Sequence, residues 1–141
     1  ARSILEIIEA RFGAKLEIDY AFLKDNEDKI NIITRDFSKI DERQLRIDSV
    51  GMYFGTVSDD YFRPSIEGSQ IIGKVATKNV LEIDKGMTKL WLRGYDLETD
   101  KPDSDGFVLI KHDDDFMGTG KIKSGKVLNF FSKSRRINSI D

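Results

Sequence analysis

GTGKIKSGKV, residues 118–127, is the stretch on which the reading of this chain turns. Gly120, four residues, then Gly125 and Lys126 come one residue short of the phosphate-loop pattern G-x-x-x-x-G-K-[ST]. A phosphate loop needs a buried strand before it and a helix after it. Its loop amides and helix N-terminus hold the phosphates, and a Ser or Thr hydroxyl after the lysine holds magnesium. Here Val127 stands in the hydroxyl position. The following VLNFFS, with Phe130 and Phe131, is β-branched and aromatic rather than helical. Ser124-Gly125 sits where a hairpin tip belongs. The stretch is therefore read as two strands and a tight turn. Lys121 and Lys123 fall on one face of the first strand, and Lys126 opens the second.

Working outward, residues 106–131 have an all-β pattern. FVLIKH, FMGTGKIK and KVLNFF are short strands joined at DDD (113–115) and SG (124–125). Charge is segregated along this half. Residues 95–118 hold eight acidic and two basic residues, net −6, and residues 119–141 hold six basic and one acidic, net +5. A local basic segment matters more to a polyanion than the total charge does. In front of the strands, NVLEI (79–83) reads as a strand. Asp84 caps a short helix carrying Met87, Leu90 and Trp91, and Gly94 stops it. The spacing of Trp91 and Met87 makes the indole a core residue rather than a base-stacking platform. LETDKPDSDG (97–106) reads as a polar loop.

The first half mixes helix and strand. Ser3-Ile-Leu-Glu6 is a capping box, and Leu5, Ile8 and Phe12 follow at helical spacing before Gly13, which gives a helix over 4–12. Alternation from Leu16 to Phe22 predicts a strand that returns through KDNED (24–28) into KINIIT (29–34) as a hairpin. RDFSKIDERQ is a polar loop or one helical turn. LRIDSVGMYFGTVS (45–58) is strand-like, interrupted by Gly51 and Gly55. Pro64 ends what precedes it, and Ser65 caps a helix with Ile71, Ile72 and Val75 on its apolar face.

Composition narrows the function. The chain has 141 residues, 39% hydrophobic and 34% charged, with net charge −2, no cysteine and one histidine, His112. Disulfides and thiolate zinc sites are excluded, and a lone histidine cannot build a histidine metal site. No apolar run approaches the roughly 18 residues of a membrane span, and ARSILEIIEARFG is not a signal peptide. These features favour an intracellular protein. Catalytic patterns are thin. Asp113–Asp115 lacks the spacing of a calcium loop, and His112 has no nucleophile motif beside it. On residues alone this is a non-enzymatic α+β binding protein with a basic C-terminal face, needing no cofactor.

GFVLIKHDDDFMGTGKIKSGKVLNFFSKSRRI resembles the closing strands of a PUA domain, the RNA-binding pseudobarrel named for pseudouridine synthases and archaeosine transglycosylases. The hydrophobic run at 107–110, the G-x-G of Gly118 and Gly120, and the final basic hairpin carry the likeness. NVLEIDKGMTKLWLRGYDLE resembles the family's opening strand and short helix. VGMYFG (50–55), FRPSIEGSQIIG (62–73) and KNVLEI (78–83) resemble the small domain preceding PUA in ribosome-biogenesis factors and in non-catalytic relatives of Nop/Sun-type RNA cytosine-5 methyltransferases. The resemblance implies a pre-PUA α/β domain at 1–76 and a PUA β pseudobarrel at 77–141. It implies RNA, either rRNA or tRNA, as partner, in ribosome biogenesis or RNA modification. It also implies a cytoplasmic place, no membrane, and archaeal look-alikes. The expected RNA contacts are Lys121, Lys123, Lys126, Lys133, Arg135 and Arg136. Lys89 and Arg93 on the short helix would border the same surface, and Asn129 would reach a base or ribose edge or cap a strand end. Two rivals remain: a protein–protein adaptor for an RNA-modifying or ribosome-assembly complex, and an RNA-directed enzyme using His112 and Asp113–Asp115.

Overall fold

A computed structural model describes residues 3–16, 20–24, 28–34, 52–58 and 61–130. Helix α1 spans Ile4–Phe12 with both halves of the Ser3/Glu6 capping box in place, and Gly13 closes it in the left-handed conformation. Its last carbonyls would be orphans. Thr77 N and Lys78 N donate to Phe12 O at 2.8 and 3.2 Å, so the chain between the two sheets seals the helix end.

The first sheet is antiparallel in the order β1 (Tyr20–Lys24), β2 (Lys29–Thr34), β3 (Met52–Ser58), β4 (Tyr61–Pro64). The hairpin of β1 and β2 is the predicted one, Leu16 belongs to no strand, and residues 17–19 lie outside the described residues. Leu16 instead packs directly on the core from the connection that leaves α1. Of the strand-like stretch 45–58, residues 45–51 lie outside the described residues. Gly55 does not interrupt β3. It pairs with Ile30 and Pro64 beside a bulge in β2, and a Cβ there would meet the Phe62 ring at 2.4 Å. Sequence reading missed β4, because Pro64 masked a four-residue strand. A proline is tolerated at the end of an edge strand, where no ladder hydrogen bond is lost. Helix α2 (Ile66–Gly73) is capped by Ser65 as expected, but ends before Val75, which is exposed.

The second sheet runs β5 (Val80–Glu82), β7 (Phe107–His112), β8 (Asp115–Lys123), β9 (Lys126–Asn129), β6 (Leu97–Glu98) and curls into a half-barrel. Helix α3 (Lys85–Leu92) lies between β5 and β6 in the chain. The pairing of β7, β8 and β9 is the expected meander, and Ser124-Gly125, both at positive φ, make its tight turn. Two features were not legible. β5 pairs parallel with β7, and β6 rises from the supposed loop to pair with β9.

β7 explains why FVLI is an unbroken apolar run. Strands buried on both faces lose the polar alternation. Leu109 faces a core built from Ile7, Ile8, Phe12, Phe54, Phe62 and Ile72, whereas Val108 and Ile110 face a second core around Leu81, Trp91, Leu97, Ile122 and Val127. The first core thus draws on both halves of the chain. Trp91 is fully buried, and its indole N–H donates to Met117 O at 2.7 Å, as a core tryptophan requires. The fold is α+β, and no helix among the described residues is long and apolar enough to cross a membrane.

Candidate nucleic-acid interface

Direct partners in a sheet project their side chains to the same face. Lys121 pairs with Phe107 on one side and Leu128 on the other, and Lys123 pairs with Lys126. Phe107 packs toward the first core, while the alternate residues Ile122 and Val127 line the second. Lys121, Lys123 and Lys126 therefore share the face of the β8–β9 hairpin that is turned away from Trp91. Lys123 and Lys126 stand directly opposite each other, an arrangement that is unfavourable unless an anion offsets it. Glu98 on β6 is the cross-strand partner of Lys126, which puts one carboxylate on the same face.

Lys89 and Arg93 are both exposed on α3. Trp91, on the same helix, is buried in the second core, so α3 lies on the opposite side of the sheet from the three hairpin lysines. The structure brings Lys121, Lys123 and Lys126 together and separates them from Lys89 and Arg93. Asn129 connects α3 to β9. Its side-chain amide donates to Trp91 O at 2.9 Å and Tyr95 O at 2.8 Å, capping the helix end that carries Arg93. Lys133, Arg135 and Arg136 lie outside the described residues.

The acidic segment is fastened to the hairpin rather than left facing it. Asp103 accepts from Ser124 N at 2.9 Å, and Asp96 accepts from Asn129 N at 2.8 Å. Ser104 N donates to Ile122 O at 2.9 Å while Ser104 Oγ accepts from Ile122 N at the same distance. Asp105 pairs with Arg11, whose hydrogen bond and charge hold its carboxyl below the usual carboxylate range. Arg11 in turn donates from Nε to Phe107 O at 2.8 Å, which ties α1 to β7.

His112 ends β7, and its Nδ1 bonds Ile83 O at 2.9 Å, which fixes that nitrogen as the donor. The ring links β7 to the chain just after β5. Asp113 and Asp114 form the two-residue tip between β7 and β8. Among the described residues, no group of three or more His, Cys, Asp or Glu side chains is placed to hold a metal ion.

Sequence reasoning missed one group. The Arg63 guanidinium lies over the Phe130 ring at 5.3 Å from its centroid, and Phe130 meets Phe107 edge-on at 5.4 Å. Tyr61, two residues before Arg63 on β4, is 57% exposed. The only signal was the i, i+2 spacing of Tyr61 and Arg63 in a segment not read as a strand.

Residues 78–137 match the family model of the methyltransferase RsmF PUA domain. The match covers less than half of the chain and shows residues 78–137 to be similar to a PUA domain. No curated protein matches the chain. A PUA domain points to RNA as the ligand.

Proposed function

We propose that this chain is a non-catalytic, cytoplasmic RNA-binding protein acting in ribosome biogenesis or as an accessory to rRNA or tRNA modification. In this reading residues 1–76 are a pre-PUA domain and residues 77–141 the PUA domain. The observation that carries it is the convergence of Lys121, Lys123 and Lys126 on one face of a PUA sheet, with Lys123 directly opposite Lys126. A row of phosphates relieves that repulsion, and the release of condensed counterions drives binding. Lys89 and Arg93 form a second basic patch across the sheet. Lys133, Arg135 and Arg136 extend the basic segment in sequence, and arginine grips phosphate with paired hydrogen bonds.

The test is a titration of mixed rRNA and tRNA at several salt concentrations. If about four phosphates are neutralised, log K falls with log[salt] at a slope of about −3 for single strands. Substituting Lys121, Lys123 and Lys126 by alanine flattens the slope by about 2. A flat salt dependence in the wild type, or an unchanged slope in the variant, overturns the reading.

A second reading, a protein–protein adaptor, is favoured by a different observation. Two adjoining clefts, about 520 and 440 Å³, share Leu81, Glu82 and Lys101 and run along β5. Among the described residues β5 pairs only with β7, so its other edge is open to an added strand. Partner binding that survives charge reversal of Lys121, Lys123 and Lys126 would support this reading, and the two functions are compatible.

A further inference from the structure

Beside the basic hairpin, where α1, β4 and the start of β7 meet, lies a cleft of about 290 Å³ lined by Ile7, Ala10, Arg11, Tyr61, Phe62, Asp105 and Phe107. Its size falls just below the roughly 300–1,000 Å³ of sites that take drug-sized ligands. That scale suits one flat heterocycle. Its walls carry three aromatic rings, and it holds one fixed cation–anion pair.

We propose that this cleft takes a single unstacked guanine of the RNA bound by this chain. The inference rests on the RNA-binding reading above and deepens it, by naming the base and the residues that read it. Three observations support it. First, Tyr61 is more than half exposed at the cleft, and an aromatic ring with a free face is the usual platform for a splayed-out base. Second, the Arg11–Asp105 pair presents a donor next to an acceptor. Guanine's Watson–Crick edge presents the complement, with O6 accepting and N1–H and N2–H donating. Arg11 occupies Oδ1 of Asp105, and a carboxylate retains acceptor capacity beyond one bond. The Arg11 side chain lines the cleft and is 18% exposed, so part of the guanidinium beside Asp105 is within reach of a ligand, while its Nη2 is buried with no hydrogen-bond partner among the described residues. Third, cations stand beside the cleft for the flanking phosphates. Arg63 reaches over Phe130 onto the Phe107 side, and Lys121 is the cross-strand partner of Phe107.

The chemistry also separates guanine from its rivals. Asp105 is an exposed aspartate, ionised at neutral pH as aspartates ordinarily are, and Arg11 lowers its pKa further, so it only accepts. Uracil places carbonyls on both sides of its one N–H and would bring an oxygen against that carboxylate. Adenine and cytosine each offer one exocyclic amine without the adjacent ring N–H. The end of the acidic segment therefore orients RNA instead of excluding it.

The test uses short oligouridine RNAs carrying one central G, A, C or U, titrated by fluorescence anisotropy against wild type, Tyr61→Ala, Tyr61→Phe and Asp105→Asn. The G oligomer is expected to bind about 5- to 150-fold more tightly than the all-U oligomer, the worth of a good bidentate base contact. Tyr61→Ala is expected to weaken the G oligomer by a similar factor with the salt slope unchanged, and Tyr61→Phe to retain binding. Asp105→Asn is expected to erase the preference for G. Equal binding of the four oligomers by wild type, or wild-type binding of G by Tyr61→Ala, overturns the guanine site and leaves RNA binding standing. Absence of any RNA binding by wild type overturns both readings.

Discussion

Ser69 and Gly118 are 49 residues apart in sequence, yet Gly118 N donates to Ser69 Oγ at 2.8 Å in a fully buried setting. The same hydroxyl donates to Ile66 O at 2.6 Å. One side chain thus locks α2 onto β8, at the point where Gly118 takes a φ of 88° that a side chain would resist. Ser69→Ala leaves a buried N–H unsatisfied. The expected loss is about 1–3 kcal/mol of unfolding free energy, read as a lower urea midpoint at unchanged m-value.

Gly120 serves a different purpose. A Cβ there would sit 2.8 Å from Val127 Cγ1, 2.9 Å from Leu128 O and 3.0 Å from the Trp91 ring. Gly120→Ala is expected to destabilise by about 1–3 kcal/mol through overpacking, with a shifted Trp91 fluorescence maximum. An unchanged melting curve would refute the close approach.

Asn129 was expected to meet RNA or to cap a strand end. Its amide bonds to Trp91 O and Tyr95 O make a helix cap the stronger expectation. Asn129→Ala is expected to cost about 0.5–1.5 kcal/mol, since Tyr95 O loses this donor while Trp91 O keeps the N–H of Gly94. Full stability combined with weakened RNA binding would restore the base-contact role.

The Arg11–Asp105 pair predicts a pH signature. Asp105 titrates lower in the folded chain than in the unfolded one. Its stabilising contribution is therefore fully present above the unfolded aspartate pKa of about 3.9 and is lost as pH falls through the lower folded value. The stability gap between wild type and Asp105→Asn should be constant from neutral pH to about pH 5 and shrink below about 4. The exposed carboxylate makes that gap sensitive to salt. A gap that widens on acidification would contradict the pairing.

Local rules carried far in this chain. The Ser3/Glu6 box and Gly13 set α1, Ser65 and Asp84 set two further helix starts, and Ser124-Gly125 set the hairpin that ruled out a phosphate loop. Each depends on contacts within a few residues, so the sequence displays it. Trp91 as core and the common face of Lys121 and Lys123 follow from helix and strand periodicity, which is also local. The parallel partner of β5 and the pairing of β6 with β9 depend on strands distant in sequence, whereas β4 pairs with the neighbouring β3 and was hidden by Pro64. No short window contains the pairings of β5 and β6.

The site divides in the same way. Sequence alone determined which residues are basic and that the C-terminal segment is β-rich and PUA-like. Tertiary structure alone decided that α3 lies across the sheet from the hairpin lysines, that Asn129 caps a helix, and that Arg63, Phe107 and Phe130 gather beside the Arg11–Asp105 pair. Periodicity assigns a side chain to a face of its own element. Which face meets which neighbour is settled only when the two cores close on opposite sides of β7.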